Sequence, residues 1–241
     1  DVGLCPPGAV ALAREHADLV LGGKDLGAAA HAVRAGRSGT ATVLAYLRAA
    51  LSSNLGNVVA MLVAGLLLPF LPMLPAQVLV QNLCFDVAQT AYVRRGAAAR
   101  PSPGPLPLRT RALVRQILGY GVLNAGVDVL TFAVLAWGAG GAAGARWEAL
   151  FHAGWFTENL LTQALVLVLL RPGAGRVPKA LGAAVAGLVV VAVALPPSPA
   201  GAALGMVALP WRVWAGVAVL MLAYGGALRW LRARRRAGDQ P

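Results

Sequence analysis

The sequence predicts a mainly α fold: a polytopic helical membrane domain of six transmembrane helices, preceded by a short α/β piece. Three observations carry this. The 241-residue chain is 58% hydrophobic and only 12% charged, where a soluble domain has about 25% charged residues. Its mean hydropathy is +0.68. Long apolar runs repeat from about residue 49 onward, and the arginines gather in alternate connections between them.

Residues 1–46 differ from the rest. DVGL is a strand candidate, GAVALAREHA has helical spacing, and ADLVL reads as a second strand closed by Gly22 and Gly23. From Asp25 a proline-free helical pattern runs through AAAHAVRAGRSGTATVLAYLRAAL and continues into the first span as one stalk-like helix. This piece is too short to bury a core of its own. Residues 47–241 form the membrane domain, with spans predicted at about 49–68, 76–93, 117–138, 150–170, 180–195 and 212–228. Most approach the roughly 20 residues that cross a ~30 Å hydrocarbon core; the fifth is short. LPFLPMLP, with Pro69, Pro72 and Pro75, allows only a tight hairpin between the first two.

The net charge of +12 invites a nucleic-acid reading. Such a surface would concentrate its basic residues on one face, interleaved with aromatics. Here the arginines sit between apolar runs. Segment 94–115 carries Arg94, Arg95, Arg100, Arg109, Arg111 and Arg115; segment 171–179 carries Arg171, Arg176 and Lys179; the tail carries Arg229, Arg232, Arg234, Arg235 and Arg236. The other connections are nearly uncharged. The positive-inside rule therefore puts both termini in the cytoplasm, as an even number of spans requires. The Pro/Gly-rich stretch RRGAAARPSPGPLPLRTR is expected to be a cytoplasmic linker. Cys5 and Cys84 lack metal-ligand spacing and are not expected to pair; His16, His31 and His152 are expected to be solvated or interfacial. A start at Asp1 without a leader pattern predicts a piece of a longer chain.

Three acids lie inside the spans: Asp86, Asp128 and Glu158. No Lys or Arg stands at comparable depth, and a lone carboxylate in lipid is costly. Asn82 and Asp86 are i,i+4, and Asp86 and Gln89 are i,i+3, so all three share a helix face. On the preceding span Asn54 and Asn57 share a face, with Ser53 four residues before Asn57. Across the hairpin these groups offer hard oxygen ligands. One carboxylate with several neutral carbonyls suits Mg²⁺, which keeps several waters, better than Ca²⁺. The competing reading is a set of polar contacts that only pin helices together.

SSNLGNV, LPFLPMLP and QNLCFDVAQTA in close succession resemble the fifth and sixth membrane helices of magnesium-transporting P-type ATPases. AREHADLVL and GRSGTATVLAYLRAALSSN resemble the end of the phosphorylation domain and the stalk of P-type ATPases; VDVLTF and GWFTENLLTQ resemble the seventh and eighth helices of the magnesium pumps. The resemblance covers essentially the whole chain. It implies a pump coupling ATP hydrolysis to Mg²⁺ entry into the bacterial cytoplasm through an aspartyl-phosphate. It also implies residence in the inner membrane. It puts cation-coordinating positions on Asn54, Asn57, Asn82 and Asp86. An acid stands in place of Asn57 in calcium pumps, so the amide implies a site of lower charge. Gln89 joins this metal set by spacing; Glu158 and Asp128 are secondary candidates.

The D-K-T-G-T, T-G-E-S and G-D-G-x-N-D motifs are absent from this chain, as is the fourth membrane helix. After QTA the chain reads YVRRG where such pumps continue I-P-F-D. The expected partners are the lipid bilayer, Mg²⁺ and N-terminal ATPase domains outside this sequence, with no nucleic acid. ATP would serve only the full-length protein, and this polypeptide alone is expected to be catalytically inactive. Two other readings stay open: a P-type pump for Ca²⁺, Mn²⁺ or H⁺, and a stand-alone six-helix membrane protein left from a broken gene.

Overall fold

A computed structural model describes residues 2–23, 27–94, 110–171 and 177–238. Most of the linker after Arg94 and the connection 172–176 lie outside the described residues. The order is β1 (Leu4–Cys5), α1 (Ala11–Glu15), β2 (Leu19–Val20), α2 (Gly27–Leu67), α3 (Pro75–Arg94), α4 (Thr110–Gly138), α5 (Gly144–Leu169), α6 (Lys179–Ala194), α7 (Pro199–Ala203) and α8 (Trp211–Gly238).

The amino-terminal piece is a small βαβ unit. Leu4 and Cys5 pair in parallel with Leu19 and Val20, and Asp18 Oδ2 accepts from the Gly3 amide at 2.8 Å. Cys5 is its only buried side chain among the described residues. Both cysteines are free thiols.

The stalk and first apolar run form one helix of 41 residues. At 1.5 Å per residue it is about 60 Å long, twice a ~30 Å hydrocarbon core. α2, α4 and α8 (through Arg234) are long and apolar enough to cross a membrane, and α6 is a shorter apolar helix. α3 and α5 carry most of the interior amides, which lowers their hydropathy. α7 was not foreseen. Its signal is local: Ser198 caps it by accepting from the Gly201 amide at 3.1 Å, and Pro199 opens it.

α5 is the centre of the bundle and packs against α3, α4, α6 and α8. Every residue from Leu150 to Leu160 is buried. Phe70, Phe132, Trp147, Phe151 and Trp155 stack around its first half, with Phe132 edge-on to Trp155 at 5.1 Å. Gly154 makes room for α4: a Cβ there would lie 2.1 Å from Leu135 Cδ2.

The Leu68–Leu74 hairpin is anchored to this core. Gln77 Oε1 accepts from the Leu74 amide at 2.9 Å, and its amide donates to Leu204 O at 2.7 Å. His152 Nε2 donates to Leu71 O at 2.8 Å. His152 is thus a buried staple, contrary to the expected interfacial side chain; its position on the all-buried stretch of α5 explains the difference. At the other end Arg232 Nη2 donates to Arg171 O at 2.9 Å, and Nη1 reaches Leu169 O, closing the C-terminal turn of α5.

Candidate cation site

α2, α3 and α5 line a half-open cavity of about 470 Å³. Asn54 and Asn57 line it from α2, Gln81 and Asn82 from α3, and Trp155 and Asn159 from α5; Val58, Met61, Leu62, Met73 and Val78 form its apolar wall. Three amides predicted from sequence, Asn54, Asn57 and Asn82, therefore meet in one space. Their helices put them there by period: Asn54 and Asn57 are one turn apart on α2, and Gln81 and Asn82 are adjacent on the turn of α3 that faces them.

The other predicted residues fall elsewhere. Asp86 is exposed one turn beyond Asn82 and does not line the cavity. Gln89 is buried, also outside the lining. Asp128 is 1% exposed: Asn124 Nδ2 donates to its Oδ2 at 3.3 Å and Trp155 Nε1 to its Oδ1 at 3.2 Å. Glu158 is 0% exposed and lies within electrostatic reach of Asp128.

Apart from the Asp128 carboxyl it pairs with, Glu158 has no hydrogen-bond partner on either oxygen. Gln81 Oε1, Asn159 Oδ1 and Gln163 Oε1 have no partner. On α3 and α5 every buried polar side-chain atom left without a partner is thus an oxygen. Buried acceptors without donors are rare and costly. A hard cation satisfies such oxygens where a hydrogen-bond donor is missing. Among the described residues no three of His, Cys, Asp and Glu converge, so any cation here relies on amide carbonyls with at most two carboxyls.

Sequence reasoning missed Gln81, Asn124, Trp155, Asn159, Gln163 and Tyr224. The amides singled out were those on the Asp86 face and across the hairpin from it, so those of α4 and α5 were passed over. Asn124 precedes Asp128 by four residues and Asn159 follows Glu158 directly, so a search for amides flanking intramembrane acids finds both.

Comparison with known proteins places this architecture. Residues 70–233 match the family described as "Cation transporting ATPase, C-terminus". The chain belongs to that family. It is 35% identical over 231 residues to "Magnesium-transporting ATPase, P-type 1" of Escherichia coli K12, covering 93% of this chain and 25% of the relative. A protein of the same name from Salmonella typhimurium strain 14028s is 34% identical over 229 residues, with 93% and 25% covered. The chain spans about a quarter of the length of these relatives. The motif resemblance to the C-terminal part of magnesium P-type ATPases is thus borne out across the chain, and with its long apolar helices the family member is a multi-pass membrane protein.

Proposed function

We propose that this chain is the cation-translocating membrane part of an ATP-driven P-type pump that moves Mg²⁺ into the bacterial cytoplasm. The observation that carries the reading is the set of partnerless oxygens on α3 and α5 beside an amide-lined cavity. ATP binding and aspartyl phosphorylation belong to the full-length protein, and this chain alone turns over no ATP. Residues 1–46 are the end of a phosphorylation domain and its stalk. The six long helices are six spans of the inner membrane, with both termini cytoplasmic.

Asn54, Asn57 and Asn82 offer neutral carbonyls at the cavity. Asp86, on the Asn82 face of α3, supplies the carboxylate on its open side, with Gln89 beyond it. Asp128 and Glu158 form an inner acidic pair. A divalent cation moving from the amides toward a carboxylate gains Coulomb attraction at each step, stronger as water is left behind. A lean oxygen set favours Mg²⁺, which retains water ligands, over Ca²⁺, which wants more protein oxygens.

The test is a chimera joining this chain to the N-terminal three quarters of the E. coli relative. Expressed in cells without their own Mg²⁺ uptake systems, it should restore growth at low Mg²⁺ and accumulate the ion. Folded, phosphorylation-competent protein that moves another cation and no Mg²⁺ would overturn the ion assignment.

A further inference from the structure

Asn124 stands behind the cavity rather than in it. It is 2% exposed on α4, and its amide makes three contacts on three different elements or turns. Nδ2 donates to Asn57 Oδ1 of α2 at 3.5 Å and to Asp128 Oδ2 at 3.3 Å. Oδ1 accepts from the Tyr224 hydroxyl of α8 at 3.0 Å. Asn57 lines the cavity and Asp128 belongs to the inner acidic pair, so one amide touches both halves of the candidate site.

The orientation of that amide matters. The ionised Asp128 carboxylate can only accept, which turns the NH₂ of Asn124 toward it and leaves Oδ1 for the Tyr224 hydroxyl to donate to. Turned over, Asn124 would present its own oxygen to the ionised Asp128 carboxylate, two acceptors with no proton between them. The backbone enforces the same placement. Gly56 lies flat against Asn124: a Cβ at Gly56 would sit 2.5 Å from Nδ2 and 2.7 Å from Cβ of Asn124. Only glycine lets α2 and α4 approach closely enough for Asn57 and Asn124 to meet.

We propose that Asn124, held between Asp128 and Tyr224 and seated against Gly56, is a positioning residue that orients Asn57 and Asp128 toward the transported cation. The inference rests on the cation-site reading above and extends it to α4 and α8. Groups that hydrogen-bond to metal ligands fix the ligands' orientation, and their loss typically costs 10–100-fold in metal affinity. The contacts to Asn57 and Asp128 are long and weak, so they bias the two oxygens without competing strongly for them.

Mg²⁺ alone is titrated by calorimetry into the 241-residue chain in lipid nanodiscs. Asn124→Leu is expected to weaken binding about ten-fold or more. Tyr224→Phe removes one oxygen and keeps the ring; it is expected to weaken binding by about three- to ten-fold, the worth of one hydrogen bond. Gly56→Ala acts in the same direction from the opposite side. The double variant Asn124→Leu/Tyr224→Phe should bind no more weakly than Asn124→Leu alone, because the hydroxyl acts only through the amide. Asn82→Ala, at the far wall of the cavity, is the control. If it weakens binding while Asn124→Leu and Tyr224→Phe bind like the unaltered chain, the positioning role is overturned and the cation site stands. A Tyr224→Phe chain that unfolds earlier yet binds Mg²⁺ normally assigns the hydroxyl to packing alone and overturns it as well. If the unaltered chain binds no Mg²⁺, or Asn82→Ala binds as tightly as it does, both readings fall together.

Discussion

α3 and α5 are the two polar helices of the bundle, and they settle the cost of polarity in different ways. On α5 the run His152–Gln163 keeps His152, Glu158, Asn159 and Gln163 buried, and two of these, Asn159 and Gln163, carry partnerless oxygens. On α3 the polar residues divide between faces. Gln77, Gln81 and Gln89 turn inward, while Asn82, Asp86 and Thr90 are exposed. Both helices hold an acid, but only Glu158 is fully buried, with the Asp128 carboxyl as its polar neighbour. The lesson is that burial and charge do not travel together here. The interior acid strains the fold, and the exposed acid is free to meet a cation or another chain segment.

That contrast can be broken at either acid. The largest stability effect is expected at Glu158. Glu158 is fully buried and its polar neighbour is another acid, Asp128, so Glu158→Leu removes a desolvation cost and should stabilise the Mg²⁺-free chain by about 1–4 kcal/mol. Thermal unfolding in detergent checks this; a lower midpoint would mean that the pairing with Asp128 outweighs the desolvation cost. Next comes the packing beneath it. Gly154→Val drives a side chain into Leu135, which is 0% exposed, and should cost about 1–3 kcal/mol by the same measurement. A smaller loss, about 1 kcal/mol, is expected for Arg232→Ala, which removes two donors from the C-terminal carbonyls of α5; hydrogen exchange at that end should rise while α3 is unchanged. The smallest is Asp86→Leu. An exposed acid without contacts should shift the midpoint by less than about 0.5 kcal/mol. A large shift there would make α3 and α5 alike and dissolve the comparison.

Much of the fold was legible because a membrane helix announces itself by an uninterrupted apolar run. The predicted spans 76–93 and 180–195 lie within a residue or two of the helices Pro75–Arg94 and Lys179–Ala194, and 150–170 falls on Gly144–Leu169, which begins six residues earlier. The strand–helix–strand start and the merging of stalk with first span were also readable, since nothing between Gly27 and Leu67 breaks a helix. α4 begins earlier than the predicted span because Thr110–Gln116 is helical yet polar.

The site was legible only in part. Helical period groups Asn82 with Asp86 but does not say which face points inward; packing decides that, and it buries Gln81 and leaves Asp86 exposed. The short hairpin suggested α2 and α3 as antiparallel neighbours, whereas α2 packs chiefly along α4. The reason is a pair of glycines: Gly56 admits Asn124, and Gly121 admits Leu55, where any Cβ would clash. No single-helix pattern reveals such a pairing, and Asn124 went unnoticed for that cause.

The central claim is that this chain carries the cation path of a pump, with Asp86 supplying its outer charge. The direct measurement is Mg²⁺-stimulated ATPase activity of the chimeric pump with Asp86→Asn beside Asn57→Ala. The account predicts a rise of order 100-fold in the Mg²⁺ needed by Asp86→Asn, since a full charge facing a divalent ion is worth several kcal/mol in a partly wet site. It predicts a much smaller rise for Asn57→Ala, because water replaces a neutral carbonyl on Mg²⁺. Normal Mg²⁺ dependence of a folded Asp86→Asn pump would contradict it.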